Sequence, residues 1–218
     1  MSSSKKTEPS KAYIKFESVI RRSLGMITAH EFLDKLMNHP EIQSHNENDY
    51  SDIIRAAIVL AIAAMDSYFT SVFSEHLITY IKKHGPTEKI VNLLKEAGVG
   101  TKCALELLTM KRPYRRILFI VIKHLARQTM QRVEAVNRLF EVYGFKNFCE
   151  EVQKATRRKK LVSSIKMLVL RRHKIVHEGD MNSHGKLQPI NVDETKKRIM
   201  ALLTFVSKSD ELIFAKTR

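Results

Sequence analysis

From Ser51 to Lys83 the chain runs without a glycine or a proline, and it stops at Gly85-Pro86. Such a stretch predicts one long α-helix, because the two residues that interrupt helices are missing until the stop itself. Ser51 stands where a hydroxyl can cap the helix start. Inside the stretch, the run from Ala56 to Met65 is apolar and is bounded by Arg55 and Asp66. That run is far too short to span a bilayer and predicts a core helix. Ala56, Ala57, Ala61, Ala63 and Ala64 leave room for other helices to approach closely.

The rest of the chain supplies those helices. A first one is expected from Lys11 to about Met37, with Tyr13, Phe16, Val19, Ile20, Leu24, Ile27, Phe32, Leu33 and Leu36 as its apolar positions, ended by Asn38-His39-Pro40. Residues 41–50 are polar and acidic and suggest a loop. Further helices are expected over Thr87 to Ala97, Thr101 to Met110, Pro113 to about Tyr143 with a break near Arg127 to Arg132, and Phe145 to Ala155. Another leads up to Gly179, and a last amphipathic one starts at Asp193 and is carried by Ile199, Leu202, Leu203 and Val206. Trp is absent and Gly and Pro are scarce, whereas Leu, Ile, Lys, Ala and Met are common. The fold class is therefore all-α. A length of 218 residues suits one domain. Residues 1–10, rich in Ser and Lys, are expected to be a disordered lead-in to a single helical domain over 11–218.

The charge balance narrows the partners. Lys and Arg number 38 against 23 Asp and Glu, a net charge of +15, which favours a polyanion and above all a nucleic acid. No basic amphipathic helix stands apart from the core pattern, so no membrane partner is expected. Cys103 and Cys149 lie in predicted helices without ligand spacing, which fits small buried thiols in a reducing compartment. With no apolar leader at the N-terminus, the expected location is the cytoplasm. Charge is also clustered. From Val152 to His177 there are nine Lys and Arg and no acid, and Glu106 is the only acid between Thr101 and Arg132. Arg157, Arg158, Lys159, Lys160 and Lys174 are candidate RNA-binding residues, suited to tracking phosphates.

The segment Arg171-Arg172-His173-Lys174-Ile175-Val176-His177-Glu178-Gly179-Asp180 carries the chemistry. Leu161, Ile165, Leu168, Val169 and Val176 define one helix face, and at roughly 100° per residue Arg172 falls within about 20° of its centre. A charge there has to be paired or sit in a wet cleft. Lys160, Ser164 and Arg171 fall outside the stripe, so Arg171 is expected to be a solvated surface charge. His173 and His177, four apart, share a flank. Gly179 is the expected stop. Asp66 is an expected partner for Arg172, orienting it from the central helix, unless it caps or hydrogen-bonds the backbone instead. Glu178 and Asp180 are expected to shape the loop, and Tyr68 and Phe69 to lie in the core.

Arg172 through His177 resembles the Arg-x4–6-His pattern of HEPN domains, in which the residue after the Arg is often polar, here His173. Asp52 through Phe69 is similar to the first core helix of the RiboL-PSP branch of that family, and the two segments occur in the expected order. The resemblance covers roughly 51–213. It implies a HEPN-like helical bundle with additional helices. It also implies a homodimer whose Arg and His residues meet in one composite cleft, and cleavage of RNA with neither a metal nor a cofactor, commonly in phage defence or as a toxin. Because Arg172 and His177 are about 140° apart on a straight helix, two crossing copies could bring them together where one copy does not.

RNA carries its own nucleophile, the 2′-OH. An unperturbed histidine titrates near 6.5 and can move protons in either direction at neutral pH, and an arginine can grip two phosphate oxygens at once. These properties suit His177 as general acid/base, Arg172 as phosphate clamp and His173 as a secondary base or phosphate contact, with 2′,3′-cyclic phosphate products. Restraint of such an activity implies an antitoxin or a sensor protein as a further partner. Three other readings compete. One is a non-catalytic RNA-binding or regulatory dimer of the same architecture. Another is a metal site built from His173, His177, Asp180 and His184, whose spacing matches no strong zinc pattern. The third is a DNA-binding protein with a helix-turn-helix hidden in Val99 to Arg116.

Overall fold

The computed structural model describes residues 8–37 and 50–218. Among these residues there are nine helices and no strand: α1 (Lys11–Met37), α2 (Ser51–His84), α3 (Glu88–Glu96), α4 (Thr101–Thr109), α5 (Pro113–Leu125), α6 (Val133–Glu141), α7 (Phe148–Thr156), α8 (Leu161–Glu178) and α9 (Val192–Thr217). The break anticipated between Arg127 and Arg132 separates α5 from α6. The expected stop at residues 38–40 and all but the last residue of the 41–50 loop lie outside the described residues.

Helix α2 is the axis of the bundle and packs against α1, α5, α6, α8 and α9. Its Ile54, Ala57, Ile58, Ala61, Ile62, Met65, Phe69, Val72, Phe73 and Leu77 are all buried. By length and composition α2 is apolar enough to cross a membrane, which its ten-residue apolar core alone does not suggest; here it is sheathed by the other helices. Phe69 sits at the meeting point of three elements, with its ring edge-on to Phe140, Phe148 and Phe205 at centroid distances of 5.8, 6.2 and 6.0 Å. Tyr68 is equally buried, so both aromatics belong to the core.

Two details depart from expectation at helix starts. Tyr50, not Ser51, occupies the cap position of α2, and the Ser51 hydroxyl instead accepts from Arg55 Nη1. Ser10 is not part of a frayed lead-in. Its hydroxyl accepts from Tyr13 N at 3.0 Å and caps α1, while its own N–H donates to buried Asp210 at 2.9 Å. The Asp210 carboxylate also accepts from Tyr68 at 3.1 Å. Burial, reinforced by that carboxylate, pushes the Tyr68 phenol well above its ordinary range and keeps it a donor.

Cys149 is buried in α7, and burial pushes its thiol up to about 12; Cys103 is half-buried. Only a thiolate reacts quickly with thiol reagents. The folded protein should therefore titrate one thiol per chain at mildly alkaline pH, with the second reacting after denaturation. Rapid reaction of both in the folded state would contradict this packing.

Candidate active site

Helix α8 carries the candidate residues and is fixed at both ends. At its start, Gln153 Oε1 on α7 accepts from Val162 N at 3.0 Å. At its end, Gly179 adopts a left-handed conformation (φ 60°), and the N–H groups of Gly179 and Asp180 both reach the Lys174 carbonyl. This closure turns the chain back over the last turn of α8. Asp180 is also left-handed (φ 58°), a geometry that Asp and Asn tolerate better than other side chains.

That turn drives Asp180 inward. It is fully buried, and its Oδ2 accepts from Arg55 Nε at 2.7 Å and from Arg171 Nη2 at 2.6 Å. Both guanidinium groups continue to the loop backbone: Arg55 Nη2 donates to the Gln188 carbonyl at 2.8 Å, and Arg171 Nη2 to the carbonyls of Gln188 and Pro189 at 3.1 and 3.2 Å. Two cations, one carboxylate and two loop carbonyls thus tie the start of α2, the end of α8 and the 179–191 loop into one unit. Asp180 shapes the loop, as expected, and does so from the interior. It is committed to two arginines and cannot serve in a metal set with His173, His177 and His184.

Arg171 is therefore not the solvated charge that helical periodicity predicts; its side chain is only 20% exposed. The cause is non-local, because the loop folds back beneath α8 and covers a face that α8 alone would leave to water. Sequence reasoning misses Arg55 for a related reason. It is 5% exposed, and it lies on the face of α2 that carries Ile58 and Ile62. A charge inside an apolar stripe, the criterion that singles out Arg172, applies to Arg55 as well.

Arg172 is half-buried and has no hydrogen-bonding or ion-pair partner among the described residues. The stripe around it shifts from the one expected: Leu161, Ile165 and Leu168 are buried, Val169 and Ile175 pack against the core, and Val176 is 45% exposed. His173 and His177 are exposed, with ring centroids 4.5 Å apart. The helical angle between Arg172 and His177 keeps them on different faces of α8, so a single chain does not converge them.

Asp66 does not support Arg172. Its carboxylate accepts from Met130 N at 2.6 Å, Gln131 Nε2 at 2.9 Å and Thr129 Oγ1 at 3.2 Å. The break between α5 and α6 leaves the Met130 N–H outside a helix, and Asp66 accepts from it and from two side chains of the same turn. Because hydrogen bonds to a charged group contribute about 1.5–3 kcal/mol, Asp66→Ala should lower unfolding stability by about that amount. An unchanged denaturation midpoint would remove this carboxylate from the account.

Arg157, Arg158, Lys159 and Lys160 are all exposed in the turn between α7 and α8. Lys160 and His177 are about 25 Å apart along the helix axis at 1.5 Å per residue, so the run and the histidines occupy opposite ends of α8. Lys174 is exposed beside His173 and His177. Among the described residues no three His, Cys, Asp or Glu side chains converge as metal ligands.

A family model described as RiboL-PSP-HEPN matches residues 30–215, a span that includes α2, α8 and most of α9. No curated protein and no solved structure shows significant similarity to the chain.

Proposed function

The chain belongs to the RiboL-PSP-HEPN family, and from that premise we propose that it is a metal-independent endoribonuclease that cleaves by attack of the RNA 2′-OH. The observation that carries this reading is the end of α8, where an arginine without a partner among the described residues and two adjoining histidines remain accessible on a helix whose other arginine, Arg171, is locked into structure. HEPN proteins are commonly ribonucleases, and Arg172 and His177 fall at the spacing of the family's motif.

In the reaction, a histidine takes the 2′-OH proton as that oxygen attacks phosphorus. Arg172 holds the non-bridging oxygens as negative charge builds on the pentacoordinate phosphorane. A protonated histidine then delivers a proton to the departing 5′-oxygen. The products are a 2′,3′-cyclic phosphate and a 5′-hydroxyl. His177 fills the acid/base role, with His173 beside it. The site is composite: a second copy supplies what the angle between Arg172 and His177 denies one chain. Leu170, 57% exposed, falls within about 20° of His177 on the outward face of α8 and gives a partner copy something apolar to cover. A strand reaching this site can follow α8 back to the basic turn at Arg157 to Lys160. The same reading places the protein in phage defence or a toxin-type system, under the restraint of an antitoxin or sensor protein.

The test is incubation of the purified protein with total cellular RNA in EDTA, with DNA in parallel, followed by analysis of product ends. Cleavage of RNA alone, with cyclic phosphate ends, is the expected result. RNA binding without cleavage under every condition tried would favour the non-catalytic, RNA-binding alternative.

A further inference from the structure

A second basic surface lies away from α8. Helix α5 turns Leu118, Val121 and Leu125 toward the core, and these are buried or packed against it. At about 100° per residue, Arg116 and Lys123 fall within about 20° of each other on the opposite side, with Phe119 about 60° away. Arg127 follows in the turn just beyond the helix. These four residues line a cavity of about 490 Å³, closed on its far side by Glu96 and Gly98 at the end of α3. Phe119 is 56% exposed, and the Arg116 guanidinium sits 5.8 Å from its ring centroid. Neither Arg116, Lys123 nor Arg127 is in an ion pair among the described residues. The one acid lining the cavity is Glu96.

We infer that this cavity binds a segment of single-stranded RNA, with its phosphates on Arg116, Lys123 and Arg127 and a base on Phe119. Cations spaced along one helix face with an aromatic ring between them form the arrangement that holds single strands without reading sequence. Arg116 and Lys123 are about 10 Å apart along the axis, a span suited to successive phosphates more than to one anion. The volume accommodates a nucleotide, whereas a flat basic face would not enclose one. Glu96 offers an acceptor to a base amino group or a ribose hydroxyl. The site would hold substrate RNA away from the cutting residues. It rests on RNA being the substrate, but not on cleavage.

The test uses the full chain and a short 2′-O-methylated RNA of mixed sequence, which binds but has no free 2′-OH to attack. The combined variant Arg116→Ala/Lys123→Ala/Arg127→Ala should weaken binding by about tenfold or more and flatten the salt dependence by about two in log–log slope, at ~0.7 for each phosphate no longer neutralised. Phe119→Ala should weaken binding about fivefold or more and leave that slope unchanged. A control removing the exposed α1 cations Lys15, Arg22 and Lys35 loses the same charge, and circular dichroism confirms folding of every variant. If the α5 variant binds no worse than this control while wild type binds well, the inference is overturned and the ribonuclease reading is untouched. If wild type does not bind the strand, both fall. If a free mononucleotide binds wild type as tightly as the strand does, the occupant is a nucleotide and the strand assignment is wrong.

Discussion

His177→Ala should lower the rate of RNA cleavage by about 10²–10⁴-fold, the usual loss when a general acid or base is removed, and Arg172→Ala should fall in the same range by exposing the phosphorane charge. Neither change should matter much to the fold. His177 is exposed, and Arg172 is half-buried without a partner among the described residues, so each belongs with substitutions that shift stability by roughly 0.5 kcal/mol or less. Arg172→Lys makes the test sharper. It keeps the positive charge but loses the planar fork, and should recover only a small part of the activity if two phosphate oxygens are held together. The measurement is the single-turnover rate on a defined RNA, beside thermal unfolding of each variant. Wild-type rates in a contaminant-free His177→Ala preparation would sink the assignment. A large fall in melting temperature for Arg172→Ala would show that it is a structural cation instead.

The opposite pattern is expected at Asp180. Removing it takes from Arg55, whose side chain is 6% exposed, its shorter ion pair, leaving it Asp52, Ser51 and the Gln188 carbonyl, and takes from Arg171 its one carboxylate partner among the described residues. Breaking a buried ion pair from one side typically costs about 3–5 kcal/mol. For a domain of this size that is a melting temperature lower by roughly 10 °C, and a large part of a total stability of about 5–15 kcal/mol. Asp180→Asn should cost less than Asp180→Ala, since asparagine tolerates the left-handed backbone and keeps an acceptor for one guanidinium. The arginines need separating from the backbone effect. In a double-mutant cycle, Arg55→Met combined with Asp180→Asn should be less damaging than the sum of the single changes, because the direct Arg55–Asp180 contact can be lost only once. Strict additivity would mean that the short Arg55–Asp180 ion pair contributes little.

These two predictions fall on either side of a division within one ten-residue segment. Arg172, His173 and His177 can be picked out along the chain because their chemistry is local: residue type, spacing and the glycine stop are all contained in the helix. The pairing of Arg171 with Asp180 is also short in sequence, yet it depends on a left-handed turn that periodicity does not describe. Asp66 shows the same limit. Its place at the edge of an apolar run marks it as a carboxylate with a task, and the task is hydrogen bonding to backbone, the alternative that the sequence leaves open. Its partners at 129–131 lie in a helix break whose location is legible along the chain but whose unmet donors are not.

The all-α class, the succession of helices, the break between α5 and α6, the burial of Tyr68 and Phe69, and the clustering of arginine and histidines at the end of α8 are all legible along the chain. Each follows from propensity, capping or a 3.6-residue period, which are properties of neighbours in the chain. Which of two adjacent arginines is structural, and what Asp66 and Asp180 hold, come instead from the tertiary fold. Those outcomes depend on pairings such as Arg55 with Asp180, 125 residues apart, where the cost of burying one charge is met by another that no local pattern could have placed beside it.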